Sequence, residues 1–217
     1  MTTASPAPAR RREALGPVGA LAGREIGRLQ NGYLADRPDA VAALARLRRG
    51  AGKDVAVVPD LWGLLDTEAL YADRALRQEA AHTALFTAAT LWSLHQQSRS
   101  SRMHRADGDE LGAAVRRLMP GTGIDEPTRK RFVRAGSAPS LEALATRLRE
   151  ITLLLRREDL ALDYALLAEQ LYQWQRPGGR DRVRASWGRS FHAYRAVSSD
   201  PAGGDDAPAT DQKDDSQ

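Results

Sequence analysis

One stretch constrains the fold more than any other, the run Q-E-A-A-H-T-A-L-F-T-A-A-T-L-W-S-L-H-Q-Q-S-R-S-S-R-M-H-R at residues 78–105. Ala81, Ala84, Leu85, Ala88, Leu91, Trp92 and His95 recur at the i, i+3, i+4, i+7 spacing of one helix face. No Pro or Gly interrupts the chain from Leu70 to Ser101. The face is mostly alanine with a few large side chains, and small side chains let helices approach to the low end of the usual axis separation of about 8–10 Å. The stretch therefore predicts a central, mostly buried helix around which others pack. It ends in H-Q-Q-S and runs into a polar segment with Arg99, Arg102 and Arg105. A core helix thus delivers hydrogen-bonding and cationic groups to the surface.

The rest of the chain reads as helices joined by short breaks. Pro17 to Leu34 predicts a first helix with Leu21, Ile26, Leu29 and Tyr33 inward, and Pro38 to Gly50 a second, with Val41, Leu44 and Leu47. Val55 to Val58 is the one β-like run and is too short to found a sheet. Leu61, Trp62, Leu64 and Leu65 form an apolar knot before the central helix. Asp107 or Asp109 is placed to cap a helix running to Met119. Asp125, Ser140 and Asp163 start three more, with Gly136 just past the end of the first of these. Leu141, Leu144, Leu148, Ile151 and Leu155 step by 3, 4, 3, 4 as a bundle seam does. After Pro177-Gly178-Gly179, a last helix carries Val183, Trp187 and Phe191. The expectation is an all-α bundle of about eight or nine helices. Its parts are a disordered basic extension (1–15), a helical domain (16–197) that could divide into two lobes near 121–123, and a disordered acidic tail (198–217).

Charge is distributed unevenly. The chain of 217 residues carries a net +4, but residues 198–217 hold six Asp against one Lys, leaving about +9 on the rest. Nearly all the cations are Arg, whose planar fork of donors matches phosphate. A basic body of this kind suggests a polyanion partner, although a G+C-rich genome also produces an excess of Arg and Ala. There is no cysteine, which excludes disulfides and thiolate chemistry. Nor is there an apolar run of membrane length, and the first fifteen residues lack the apolar core of a secretory signal, so a cytoplasmic location is expected.

Catalytic signals are missing. His82, His95, His104 and His192 form no metal-ligand spacing, and no nucleophile-elbow or phosphate-loop motif occurs. His82 and His95 read as structural residues on or beside the central apolar face. The expectation is a protein with no cofactor, no metal and no catalysis.

What the sequence supplies instead is arginine on many helices. Arg48, Arg49 and Lys53 lie at the end of the second helix, Arg99 and Arg102 after the central one, Arg116 and Arg117 at the end of the next, and Arg129, Lys130, Arg131 and Arg134 crowd a short helix. Cations near a helix C-terminus also answer the macrodipole, which accounts for Arg48 and Arg116 without a ligand. With most Trp and Phe on apolar stripes, base stacking is expected to contribute little.

An ordered set of segments resembles the CasB family, the small subunit of the type I-E CRISPR surveillance complex Cascade. The segments are W-G-L-L (62–65), A-A-H-T-A-L-F (80–86), L-H-Q-Q-S (94–98), M-H (103–104), L-G-A-A-V-R-R-L (111–118), R-K-R-F (129–132), L-R-E-I-T-L-L-L-R (148–156), L-D-Y-A-L-L (162–167) and W-G-R-S-F (187–191). The resemblance spans residues 24–195 and implies a compact helical protein present in two copies. It implies contacts with the large subunit and the crRNA-bearing backbone subunits, and a basic surface that holds target DNA and the displaced strand of the R-loop. On that basis the nucleic-acid contacts fall to Arg48, Arg49, Arg99, Arg102, Arg116, Arg129, Lys130 and Arg131. Two other classes stay open, a structural adaptor whose arginines meet protein, and a helix-turn-helix regulator using segment 125–136.

Overall fold

The computed structural model describes residues 15–51, 58–106, 108–121 and 123–194. Among them nine α-helices run α1 (Pro17–Leu34), α2 (Pro38–Arg49), α3 (Glu68–Ala72), α4 (Gln78–Gln96), α5 (Leu111–Arg117), α6 (Glu126–Gly136), α7 (Leu141–Arg157), α8 (Tyr164–Trp174) and α9 (Gly179–Ala193). No strand occurs among these residues, and a single parallel bridge joins His104 to Leu162. The all-α expectation holds.

Helix starts follow local chemistry. Proline opens α1 and α2, where its missing N–H costs nothing. Side chains cap three others: Asp125 accepts from Thr128 N at 2.9 Å, Ser140 from Ala143 N at 3.2 Å and Asp163 from Leu166 N at 3.0 Å. The break before α4 contains neither Pro nor Gly. There the Asp73 carboxylate accepts from Ala75 N at 2.9 Å, a local turn that competes with continuing the helix.

Helix α4 is the axis of the molecule. Ala81, Ala84, Leu85, Ala88, Leu91, Trp92 and His95 are all fully buried. The opposite side is buried too, through Phe86, Ala89, Thr90 and Ser93, so α4 is enclosed on every side from Ala84 to Gln96. It packs against α1, α2, α7 and α8, and α1 lies along α8. Outside this group α9 covers α5 and touches α8, while α6 lies on α7. Polar groups on α4 find partners close by: Thr90 Oγ1 donates to Thr87 O at 3.0 Å and Ser93 Oγ to Thr90 O at 2.7 Å.

Several expectations need correction. Trp62 is not part of an inner knot but is 62 % exposed. Leu61 and Leu65 take the inward places, and between them Gly63 adopts φ 72° while the buried Glu25 carboxylate accepts from Asp66 N at 3.2 Å. That turn sends the indole outward. Val41 lies at the rim of α2, whose buried arc is Ala40, Ala43, Leu44 and Leu47. Asp109 does not cap α5; its carboxylate receives Arg117 Nη1 at 2.7 Å, and the cap position belongs to Glu110. Gly136 is the last residue of α6 rather than the one beyond it. Lys53, Val55 to Val57, Asp107, residues 1–14 and residues 195–217 lie outside the described residues.

Candidate nucleic-acid interface

The predicted contact residues fall into three groups. The first ends α2. Arg49 is exposed and pairs with Asp60 at 3.0 Å, while the neighbouring Arg46 Nε donates to Asp60 O at 3.0 Å. Arg48 is half-buried and forms no ion pair with a described residue. Trp62 is exposed just past Asp60, an aromatic face beside cations where the sequence pattern predicts a buried one.

The second group sits on the connection from α4 to α5. Here Arg99 lies 3.7 Å from the Asp159 carboxylate, which also accepts from Ser101 Oγ at 3.0 Å. Arg102 is exposed without an ion pair to a described residue. With Arg105, Arg117, Asp109 and Asp159 it lines an open groove of about 600 Å³. The sequence favours Arg116 over Arg117 as a contact residue; in the structure the first is buried and the second exposed. Arg116 is only 8 % exposed and its Nη2 donates to Gly121 O at 3.2 Å, so it secures the turn after α5 rather than the surface. Arg117 points outward, and its hydrogen bond with Asp109 raises its pKa.

The third group is α6. Arg129, Lys130, Arg131 and Arg134 are all exposed. Arg129 forms a bidentate pair with Glu126, both distances 2.9 Å, which holds the Glu126 pKa down. Lys130, Arg131 and Arg134 have no carboxylate within ion-pair distance among the described residues. A fourth cationic corner, unannounced by periodicity, gathers Arg77, Arg176, Arg180 and Arg184 around the turn between α8 and α9. Its members come from residues 77 and 176–184, so only folding assembles it.

Two of the histidines are held against the core. His95 is enclosed, and burial lowers its pKa to about 3. Its Nδ1 lies 2.9 Å from the Tyr164 hydroxyl, while its buried Nε2 meets no hydrogen-bond partner among the described residues. His82 is half-buried against Phe86, with its pKa lowered by desolvation. Among the described residues no cluster of three or more His, Asp or Glu could hold a metal ion, and no helix is long and apolar enough to cross a membrane.

Fold and surface together define a class: an all-helical protein with an apolar core and arginine displayed in separate exposed groups. The model of the CRISPR-associated protein Cse2 matches residues 43–192, and the chain belongs to this family, also called CasB. CasB from Thermobifida fusca is 51 % identical, with a TM-score of 0.76 over 83 % of this chain and all of that one. CasB from Thermus thermophilus is 24 % identical, with a TM-score of 0.61 over 82 % of this chain and 98 % of that one. A chain of a CRISPR RNA-guided surveillance complex shares the fold at 20 % identity and a TM-score of 0.59, over 81 % of this chain and 95 % of that one. No curated protein sequence matches.

Proposed function

We propose that this protein is the non-catalytic small subunit of a type I-E CRISPR Cascade complex in the cytoplasm. In this reading two copies line the complex beside the large subunit and the crRNA-bearing backbone subunits. They hold the target strand and the displaced strand of the R-loop through phosphate contacts. Opening a duplex to form an RNA–DNA heteroduplex is nearly balanced in energy, so contacts to the backbone are enough to tip it. Base readout is left to the guide, and the protein needs none.

The observation that carries the reading is the exposed arginine on rigid elements, above all Arg102 on the α4–α5 connection and Lys130 and Arg131 on α6. Arg49, Arg99 and Arg129 join them by exchanging a surface carboxylate for phosphate, which costs little because exposed ion pairs contribute about 0–1 kcal/mol. Arg48 adds a half-buried cation beside Arg49, and Arg116 acts only through the turn it secures.

One observation favours the adaptor alternative at part of the surface. Trp62, Ile124 and Val133 are 48–62 % exposed, and apolar side chains of this kind suit a protein neighbour. The regulator alternative loses support. A helix-turn-helix joins its helices by a turn of about 3–4 residues, whereas residues 118–125 separate α5 from α6.

The test replaces Arg129, Lys130 and Arg131 by Ala and assembles the variant with guide RNA and the other subunits. DNA retention should fall by a similar factor for unrelated guide-matched targets. Normal retention with defective assembly would assign α6 to a protein neighbour, and a loss confined to one target would reinstate sequence readout.

A further inference from the structure

Among its described residues (97–106 and 108–110) the connection from α4 to α5 contains no helix or strand, yet from Gln97 to Arg105 much of its backbone is held by hydrogen bonds from other elements. Gln96, fully buried, donates Nε2 to Arg99 O at 3.0 Å and to Ser101 O at 2.8 Å, and its Oε1 accepts from Met103 N at 3.0 Å. Gln30, 1 % exposed on α1, binds both backbone groups of His104, accepting from its N at 2.8 Å and donating to its O at 2.9 Å. Trp92 Nε1 donates to the same Gln30 Oε1 at 3.2 Å and so fixes the amide from behind. Tyr33 Oη accepts from Ser98 N at 3.0 Å, where Ser98 takes the left-handed φ of 57°. Arg156 Nε donates to Gln97 O at 3.1 Å, and Leu162 bonds Met103 O and Arg105 N at 3.0 and 3.3 Å.

The arrangement is asymmetric. Met103 and His104 are buried and pinned, whereas Arg102 and Arg105 flank them and are exposed. Two amide side chains from the core thus do for this segment what a neighbouring strand does for a sheet edge. Glutamine suits the task because one planar group offers an acceptor and two donors at fixed separation. An apolar residue at either place would leave buried backbone groups without partners.

We infer that Gln30, Gln96 and Tyr33 are positioning residues for nucleic-acid binding: they hold the Arg99–Arg102–Arg105 segment in its binding shape before the ligand arrives. The inference rests on the proposed role of these arginines at phosphate. Its physical content is that ordering entropy is spent at folding rather than at binding. A segment that must order on contact loses roughly five- to thirtyfold in affinity for each residue fixed then.

Two measurements test it on the full chain and on the assembled guide-containing complex. Trypsin, which cleaves after arginine, should cut Gln96→Met at Arg99, Arg102 and Arg105 faster than the wild-type protein, with cleavage elsewhere unchanged. The same variant should retain a guide-matched DNA duplex roughly fivefold or more weakly. The decisive comparison is a double-mutant cycle. In a background with Arg99, Arg102 and Arg105 all replaced by Ala, Gln96→Met should cause no further loss, because it acts only through those side chains. Loss by the same factor in both backgrounds, or no loss in the wild-type background, overturns the positioning role and leaves the arginines' role standing. Unchanged retention in the triple-Ala protein overturns the phosphate reading of the segment, and this inference with it. Should Gln96→Met fail to fold, Tyr33→Phe removes one bond at the exposed Ser98 end of the segment and runs through the same cycle, with a smaller loss expected in the same direction.

Discussion

His95 is a base kept neutral inside the core. Burial is the main cause of its low pKa, about 3 against an ordinary 6.5, and the nearby Arg99 and Arg156 push the same way. Because the folded value is depressed, the unfolded chain takes up a proton first as pH falls. The stability this residue contributes is complete above about pH 6.5 and is lost progressively towards pH 3. One pKa unit corresponds to about 1.4 kcal/mol. Wild type should therefore lose about 2 kcal/mol more than His95→Asn between pH 7 and pH 5, read from urea unfolding at each pH. Parallel pH profiles would mean that folding leaves the proton affinity of His95 unchanged. Ala88, two turns before His95 on α4, makes a steric prediction instead. It has no exposed surface, and Leu there should overpack the bundle by about 1–3 kcal/mol, visible as a lower unfolding temperature.

At the scale of elements, α5 and α9 meet through a glycine. A Cβ on Gly112 would collide with the Trp187 carbonyl and crowd Ser190 Oγ, both belonging to α9. Gly112→Ala should destabilise by about 1–3 kcal/mol, although alanine is the better helix former. The matched control is Gly27 in α1, where a Cβ meets nothing within 4 Å. Gly27→Ala should stabilise by up to about 1 kcal/mol, as an exposed helix interior allows. Opposite signs in thermal melts identify the close approach; equal signs would refute it.

For the molecule as a whole, the question is how many phosphates it neutralises. Every phosphate left without its cation takes about 0.9 from the slope of log affinity against log salt for duplex DNA and about 0.7 for a single strand. Replacing Arg129, Lys130 and Arg131 together should lower the slope of the assembled complex by roughly two units or more if all three reach phosphate. Titrating retention across a salt series measures it. Arg129 is the member expected to contribute least, since Glu126 already occupies its fork on both sides. A slope that does not move, with retention intact, would leave α6 without a nucleic-acid role.

Periodicity and cap chemistry determined most of the helices, though not the short α3. Buried side chains must return to one side every 3.6 residues, so the core face of α4 and the seam Leu144, Leu148, Ile151 and Leu155 were legible one residue at a time, as were the caps at Asp125, Ser140 and Asp163. The ordered segments carried the family as well. Tertiary structure decided what periodicity does not encode. A turn at Gly63 turned Trp62 outward, and packing buried Arg116 while leaving its neighbour Arg117 exposed. Folding also brought Arg77 beside Arg180, and Gln30 of α1 onto the backbone of His104. Those outcomes depend on which elements become neighbours across the chain. A helical repeat states only that a face is buried, and leaves open what buries it.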